Sequence, residues 1–223
     1  LGISTGDAEV WRWDGVAWAQ IGGDGLNTSW NTSYEEVTAL SSYNGMLYAG
    51  IGVSANDAEV WRWDGTSWTK IGGDGLNTSW TPNFDRVSSF AIFNGSLIAG
   101  LGSSAGEAEL WTYSGSTWTK FAGDGLSGSW DNTKEQVESM IAYAGGLYVG
   151  LGNSAGDGEV WEYKNSTWTQ IGGDDLNSSW ADGTYERVRT FTVYNSDLYA
   201  GLGSSTGEGE VWRYQSGAWS KVG

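Results

Sequence analysis

The stretch EEVTALSSYNGMLYAGIGVSANDAEVWRWDGTSWTKIGG, residues 35–73, contains four short segments in which apolar and polar residues alternate. Such alternation predicts half-buried β-strands. Asn44-Gly45 lies between the first two segments and Asp64-Gly65 between the last two. Both dipeptides favour tight turns, because Asn, Asp and Gly tolerate the positive φ that a short hairpin requires. The stretch therefore predicts four consecutive antiparallel strands, which we call A, B, C and D.

This pattern repeats through the whole chain of 223 residues, with a period of 50 residues that becomes 51 in the last full unit, near residues 181–185. The nonapeptide GGDGLNTSW at residues 22–30 returns unchanged at residues 72–80, between a D strand and the next A strand. Four-stranded units at this period are typical of a β-propeller, in which each blade buries its faces only against neighbouring blades. We therefore predict an all-β fold, a β-propeller of four-stranded blades of about 50 residues.

The blades differ in completeness. C and D segments occur five times and A and B segments four times, so residues 1–23 predict a half blade. Complete blades are predicted over residues 24–73, 74–123, 124–173 and 174–223 of a single domain. Residues 1–3 match the end of a B strand. A five-bladed ring with one defective blade is the simplest architecture; the alternatives are a segment of a longer repeat array, or a designed or recently amplified repeat.

Composition excludes several functions. The 27 acidic and 11 basic residues give a formal charge of -16, so we expect neither nucleic acid nor a membrane as a partner. The chain lacks cysteine and histidine, which removes thiol nucleophiles and imidazole bases. Its repeated acids share one environment and provide no distinct acid and base. We therefore predict a protein that is not an enzyme and needs no cofactor, with calcium as the one option considered.

Two resemblances follow from the blade motifs. The string NGMLYAGIG, residues 44–52, followed by a strand aromatic and then a tryptophan, resembles the kelch-type blade. The spacing from aromatic to tryptophan, as from Trp63 to Trp68, is five residues and one shorter than the kelch pattern. The string WRWDGTSW, residues 61–68, is similar to blade segments of small bacterial and fungal fucose-binding propeller lectins. The kelch resemblance implies the propeller fold, and the lectin resemblance implies a glycan-binding module.

The loop from D to the next A strand is the candidate ligand site. It shares one face of the predicted disc with the B–C loop, whereas both tight turns lie on the opposite face. A tryptophan for stacking on a sugar and planar polar groups for its hydroxyls would make one site per blade, and several weak sites gain by avidity. The candidates are Asp24, Asn27 and Trp30; Asp74, Asn77 and Trp80; Asp124 and Trp130; and Asp174, Asn177 and Trp180. Ser127 replaces the asparagine in the third site, which predicts a weaker site.

A structural role suits the same residues. Tryptophan fills clefts between blades, and Asp or Asn in a glycine-rich loop commonly bonds its own backbone. Core packing is likewise expected for the tryptophans of the C and D strands, which are Trp11, Trp18, Trp61, Trp68, Trp111, Trp118, Trp161, Trp168, Trp212 and Trp219.

A glutamate begins every C strand. These residues are Glu9, Glu59, Glu109, Glu159 and Glu210. A ring of carboxylates would suit calcium, which prefers oxygen ligands. The alternative is that each carboxylate accepts N–H bonds from backbone or tryptophan between the blades.

Two functions are consistent with these features. The first is an extracellular or cell-surface module that recognises glycans or surface proteins at several equivalent sites. The second is a scaffold or array element, able to self-associate, whose repeated residues serve packing alone.

Overall fold

The computed structural model describes residues 2, 4–181, 183 and 185–223. The predicted end of a B strand at residues 1–3 therefore lies largely outside the described residues. So does part of the insertion near residues 181–185.

Within the described residues, eighteen strands form five antiparallel sheets in chain order. The half blade contains β1 Val10–Trp13 and β2 Trp18–Gly22. The first blade contains β3 Val37–Tyr43, β4 Met46–Ile51, β5 Glu59–Trp63 and β6 Trp68–Gly72. The second contains β7 Val87–Phe93, β8 Ser96–Leu101, β9 Leu110–Tyr113 and β10 Trp118–Ala122. The third contains β11 Val137–Tyr143, β12 Gly146–Leu151, β13 Val160–Lys164 and β14 Thr167–Gly172. The fourth contains β15 Val188–Tyr194, β16 Asp197–Leu202, β17 Glu210–Gln215 and β18 Ala218–Lys221.

Within each sheet, strands that are consecutive in sequence pair with one another, so each complete sheet has the order A, B, C, D. The first strands of the four blades lie beside one another around the axis, as strands β3, β7, β11 and β15. The predicted all-β propeller, with four complete blades and a half blade, is confirmed.

The A–B hairpins have the predicted turns. Tyr43 pairs with Met46, which leaves Asn44 and Gly45 as a two-residue loop. Both loop residues have positive φ, 49° and 75°. This conformation matches the right-handed twist of the flanking strands.

The hydrophobic core is divided among the junctions between consecutive sheets. One buried cluster lies at each of the four junctions, and each takes residues from both sheets. The cluster between the first and second blades, for example, combines Val60 and Ile71 with Leu97 and Trp118. Each blade is therefore stabilised mainly by its neighbours.

One glycine position sets how closely the blades approach. A Cβ added at Gly72, the last residue of β6, would lie 2.8 Å from Nε1 of Trp118 in the second blade. Glycine is required there because the indole packs directly on the backbone.

Candidate functional site

The loop from D to A is held in one conformation by its own hydrogen bonds. In the loop after β6, the Gly73 N–H donates to Ser79 Oγ at 2.9 Å, and the Gly75 N–H donates to the Trp80 carbonyl at 2.7 Å. Asn77 has φ 53°, a conformation that asparagine adopts more readily than most residues. Each loop contains one short 3-10 turn, at Leu26–Thr28, Leu76–Thr78, Leu126–Gly128 and Leu176–Ser178.

The loop tryptophans are buried between blades. Trp80 is 1% exposed, and its ring centroid lies 5.4 Å from that of Trp118 and 5.9 Å from that of Trp111. Its indole N–H donates to the Ala58 carbonyl at 2.8 Å. Trp30, Trp130 and Trp180 are equally buried and make the equivalent bonds. Since no ring face is available to a sugar, stacking by these four residues does not fit the structure, and the packing alternative does.

The loop asparagines serve the loop itself. The side-chain Nδ2 of Asn27, Asn77 and Asn177 donates to the carbonyl of Ile21, Ile71 and Ile171 respectively, at 3.0 to 3.1 Å. These bonds attach each loop to the D strand that precedes it. Each bond uses one of the two Nδ2 hydrogens of its asparagine.

The loop aspartates lie at the end of a polar chain on the same face. Asp124 Oδ2 accepts a bond from Lys120 Nζ at 2.5 Å, and Asp174 Oδ2 accepts one from Gln170 Nε2 at 3.1 Å. Asp74 is bound by Lys70 in the same way. All four aspartates, including Asp24, are exposed and remain accessible to a ligand.

The C-strand glutamates are occupied. Glu109 Oε2 accepts the Trp111 indole N–H at 2.7 Å, and its Oε1 accepts a bond from Lys120 at 2.5 Å. Glu9, Glu59, Glu159 and Glu210 accept the equivalent tryptophan bond. No group of three or more acids that could hold a metal occurs in the described part of the chain. This geometry corresponds to the alternative expected for these glutamates, the acceptance of tryptophan N–H bonds, and leaves no carboxylate ring for calcium.

A pocket opens where the loop into the third blade passes over that blade's C and D strands. We call it the Trp161 pocket; its volume is about 320 Å³. It is lined by Ser129, Trp130, Asp131, Thr133, Lys134, Glu159, Trp161 and Gln170. Trp161 is partly exposed, unlike Trp130 beneath it. The sequence predicted core packing for Trp161. Glu159, two residues earlier and repeated in every unit, was the sequence signal of a polar environment around the Trp161 indole.

An internal ion pair lies in the wall of the Trp161 pocket. Lys134 Nζ lies 2.7 Å from Glu159 Oε1 and 3.3 Å from Asp157 Oδ1. Burial raises the pKa of Glu159, while hydrogen bonds from Lys134 and Trp161 oppose this rise. The pocket thus combines one aromatic face with charged and amide groups that are already held in place.

A second polar pocket of about 340 Å³ lies where the A strands begin. It is lined by Gly2, Glu36, Val37, Thr38, Arg86, Ser88, Gln136 and Glu138. Arg86 lies 3.4 Å from Glu36, and Glu138 is 3.4 Å from Arg187 and 3.0 Å from Arg189. Its charges largely satisfy one another, so it is a weaker candidate than the Trp161 pocket.

The comparisons with known proteins support the fold. No protein-family model matches the chain, and no curated protein matches it. Among solved structures, the chain is similar to AofleA from Arthrobotrys oligospora, crystallised with three arginines replaced by alanine. The TM-score is 0.58 at 14% identity, over 98% of this chain and 66% of the AofleA chain. At this identity the likeness shows the propeller fold alone, and the kelch likeness stays a resemblance of sequence.

Among the described residues, no helix is long and apolar enough to span a bilayer.

Proposed function

We propose that this chain is a non-enzymatic glycan-binding module that binds sugars in the Trp161 pocket and in the equivalent positions of the other blades. The observation that carries the proposal is the partly exposed indole of Trp161, set among a lysine, two carboxylates and an amide. A sugar ring presents an apolar face and a rim of hydroxyls. An indole beside oriented polar groups complements both parts.

Each lining residue has a role in this proposal. The Trp161 ring would stack on the sugar, and its N–H is fixed by Glu159 at 2.8 Å, so the ring is held in place. Asp131 Oδ2 and Gln170 Oε1 would supply acceptors for hydroxyls, since Asp131 Oδ1 accepts from Thr133 and Gln170 Nε2 donates to Gly172 and Asp174. Asp174, bound to Gln170, extends the polar rim and keeps the ligand role expected for the loop aspartates.

The repeated units make the proposed binding multivalent. The same glutamate and tryptophan begin the C strand of every complete blade, so Trp61, Trp111 and Trp212 are the equivalent stacking residues. Individually weak sites on one face gain affinity when they engage a surface that carries many copies of a glycan. An extracellular or cell-surface location fits this proposal.

The structural comparison is consistent with it. The string WRWDGTSW of this chain resembles blade segments of fucose-binding propeller lectins, and AofleA shares the propeller fold. A shared fold does not transfer a ligand, because function depends on the site. We therefore take from it only glycans as the class to test first.

A glycan array followed by calorimetry tests the proposal. The chain should be retained by at least one class of glycan, with and without a calcium chelator. For a free sugar of that class, Trp161→Leu should lower the number of binding sites by one, because leucine keeps an apolar side chain but offers no ring. The matched control Ser116→Ala, in the C–D turn on the opposite face, should leave the number of sites unchanged.

The result that contradicts the proposal is the absence of retention on the array, or a site number that Trp161→Leu does not alter. Circular dichroism of the Trp161→Leu variant should show that the fold persists.

A scaffold without a ligand is the second candidate. It is favoured by the burial of Trp30, Trp80, Trp130 and Trp180, which assigns the most repeated residues to packing. No retention on the array, with the fold intact, would support this function.

A further inference from the structure

Each blade contacts the preceding blade and the following blade through different surfaces. At each junction, the blade later in sequence presents the tryptophan of its D strand, and the earlier sheet presents a backbone carbonyl of its own D strand. The Trp68, Trp118 and Trp219 indoles donate to the carbonyls of Ile21, Ile71 and Ile171 at 2.8 to 2.9 Å. We call the tryptophan side of a blade its rear side and the carbonyl side its front side. The two sides are complementary because this bond joins successive sheets at three of the four junctions described in this chain.

The rear side of the half blade is exposed. Trp18 in β2 is 63% exposed, whereas the four tryptophans at the same position in the other blades are at most 4% exposed. Trp11 and Leu40 are also exposed. Together with Glu9, Val10 and Val37, these residues line an apolar groove of about 440 Å³ between the half blade and β3 of the first blade, the strand that contains Val37 and Leu40.

The front side of the fourth blade is exposed as well. Val211 is 42% and Val222 is 51% exposed. The residues equivalent to Val211, which are Val10, Val60, Leu110 and Val160, are all buried. Tyr194 is 63% exposed, although its equivalent Phe93 in the second blade is buried. A complete front side and the outer, C–D part of a rear side are therefore both present on this chain, and neither is covered.

We propose that the front side of the fourth blade binds the rear side of the half blade of a second copy of this chain. In this head-to-tail contact, Trp18 of one copy packs on β18 of the other and its indole donates to the Val222 carbonyl, as Trp219 does to Ile171. Such a contact is heterologous, so it forms a closed ring or a growing chain according to the rotation between copies.

The net charge opposes this association at low salt. Each copy carries a formal charge of -16, and screening of this repulsion favours the contact. The apolar residues at the junction provide the attraction.

Sedimentation of the 223-residue chain tests the proposal. At micromolar to millimolar concentration the mass should exceed that of the monomer, and the apparent dissociation constant should fall at least tenfold between low and high salt. A monomer at every concentration would overturn the proposal, whether the two sides meet within one chain or stay uncovered.

Single-side variants show whether the contact is head-to-tail. Trp18→Glu removes the rear side and Val222→Glu the front side, and each variant alone should be monomeric. An equimolar mixture should form a dimer that does not grow, because one intact side of each kind remains. The matched control Val16→Glu, in the β1–β2 turn and 86% exposed, should assemble like the unaltered chain.

Two outcomes of the variant experiment overturn the proposal. One is a mixture that stays monomeric while both variants are folded by circular dichroism. The other is assembly that persists in a chain carrying both changes, which would place the contact elsewhere.

Discussion

At the scale of single residues, the third blade differs from its neighbours in the source of one positive charge. In the first, second and fourth blades a D-strand lysine binds the C-strand glutamate. In the third blade that position is Gln170, and the cation is supplied by Lys134 from the loop before the A strand. The other complete blades have an aromatic residue at the position of Lys134, which is Tyr34, Phe84 or Tyr185. The buried glutamate therefore keeps a counter-ion in every complete blade.

Substitutions at positions 134 and 170 test whether Lys134 replaces the D-strand lysine that the third blade lacks. Lys134→Tyr alone should lower the free energy of unfolding by about 2 kcal/mol, because Glu159 loses its partner in a buried position. Adding Gln170→Lys should recover most of this loss, since the pair then has the arrangement of the first blade. Urea denaturation of both variants provides the measurement, and equal stability of the single and double variants would contradict the interpretation.

At the scale of elements, the junction between the second and third blades is the least regular. The second blade ends β10 with Phe121 and Ala122, where the half, first and third blades have isoleucine and glycine. Within the described residues, the Trp168 indole N–H that faces this point is buried and has no acceptor. The methyl group of Ala122 occupies the space that glycine leaves open for the indole, so the cross-blade hydrogen bond is lost.

Restoring the common pair at this junction should stabilise the protein. Phe121→Ile with Ala122→Gly should raise the free energy of unfolding by about 1 kcal/mol, because a buried donor regains its acceptor. The reverse change in the first blade, Ile71→Phe with Gly72→Ala, is the matched control and should destabilise it. Thermal melting measures the stability of both double variants. If the two double variants shift the melting midpoint in the same direction, this explanation of the junction is wrong.

These elements also show what sequence can predict. Strand order, turn positions and the half blade follow from period and alternation, because each depends on residues close in the chain. The candidate site was only partly predictable. Trp80 and Trp161 are both tryptophans in repeated motifs, and which one is exposed depends on how a loop crosses the next blade. That is a contact between units, and alternation along one strand does not encode it.

At the scale of the whole molecule, tyrosine phenols and a lysine ammonium group both have raised pKa values, so both make the folded state less stable at alkaline pH. Burial and the hydrogen bond to Glu162 raise the pKa of Tyr148, and burial and Glu210 raise that of Tyr185 to about 12. For Lys120, burial opposes the rise, but bonds to Asp124 and Glu109 raise its pKa overall. In the unfolded chain these groups lose their protons near pH 10. The unfolded state then binds fewer protons than the folded state, so stability is lost as pH rises from about 10 towards the folded pKa values.

The melting temperature should therefore fall steeply between about pH 10 and pH 12. Tyr148→Phe should make the fall shallower, because one group that holds its proton only in the folded state is removed. Calorimetry across this range measures both slopes, with pH 7 as the reference for any direct effect of the substitution. Identical slopes for the variant and the unaltered chain would contradict this explanation.

The tryptophan bonds between blades all point the same way along the chain, from one unit to the unit before it. The half blade and unit 24–73 present the same acceptor, the carbonyl of Ile21 or Ile71, and units 24–73 and 74–123 present the same donor, Trp68 or Trp118. Unequal recombination within the gene between the two identical copies of GGDGLNTSW, residues 22–30 and 72–80, would insert or delete a whole blade, with each new junction already matched. The number of blades can thus change in one genetic event, without any new side chain having to arise.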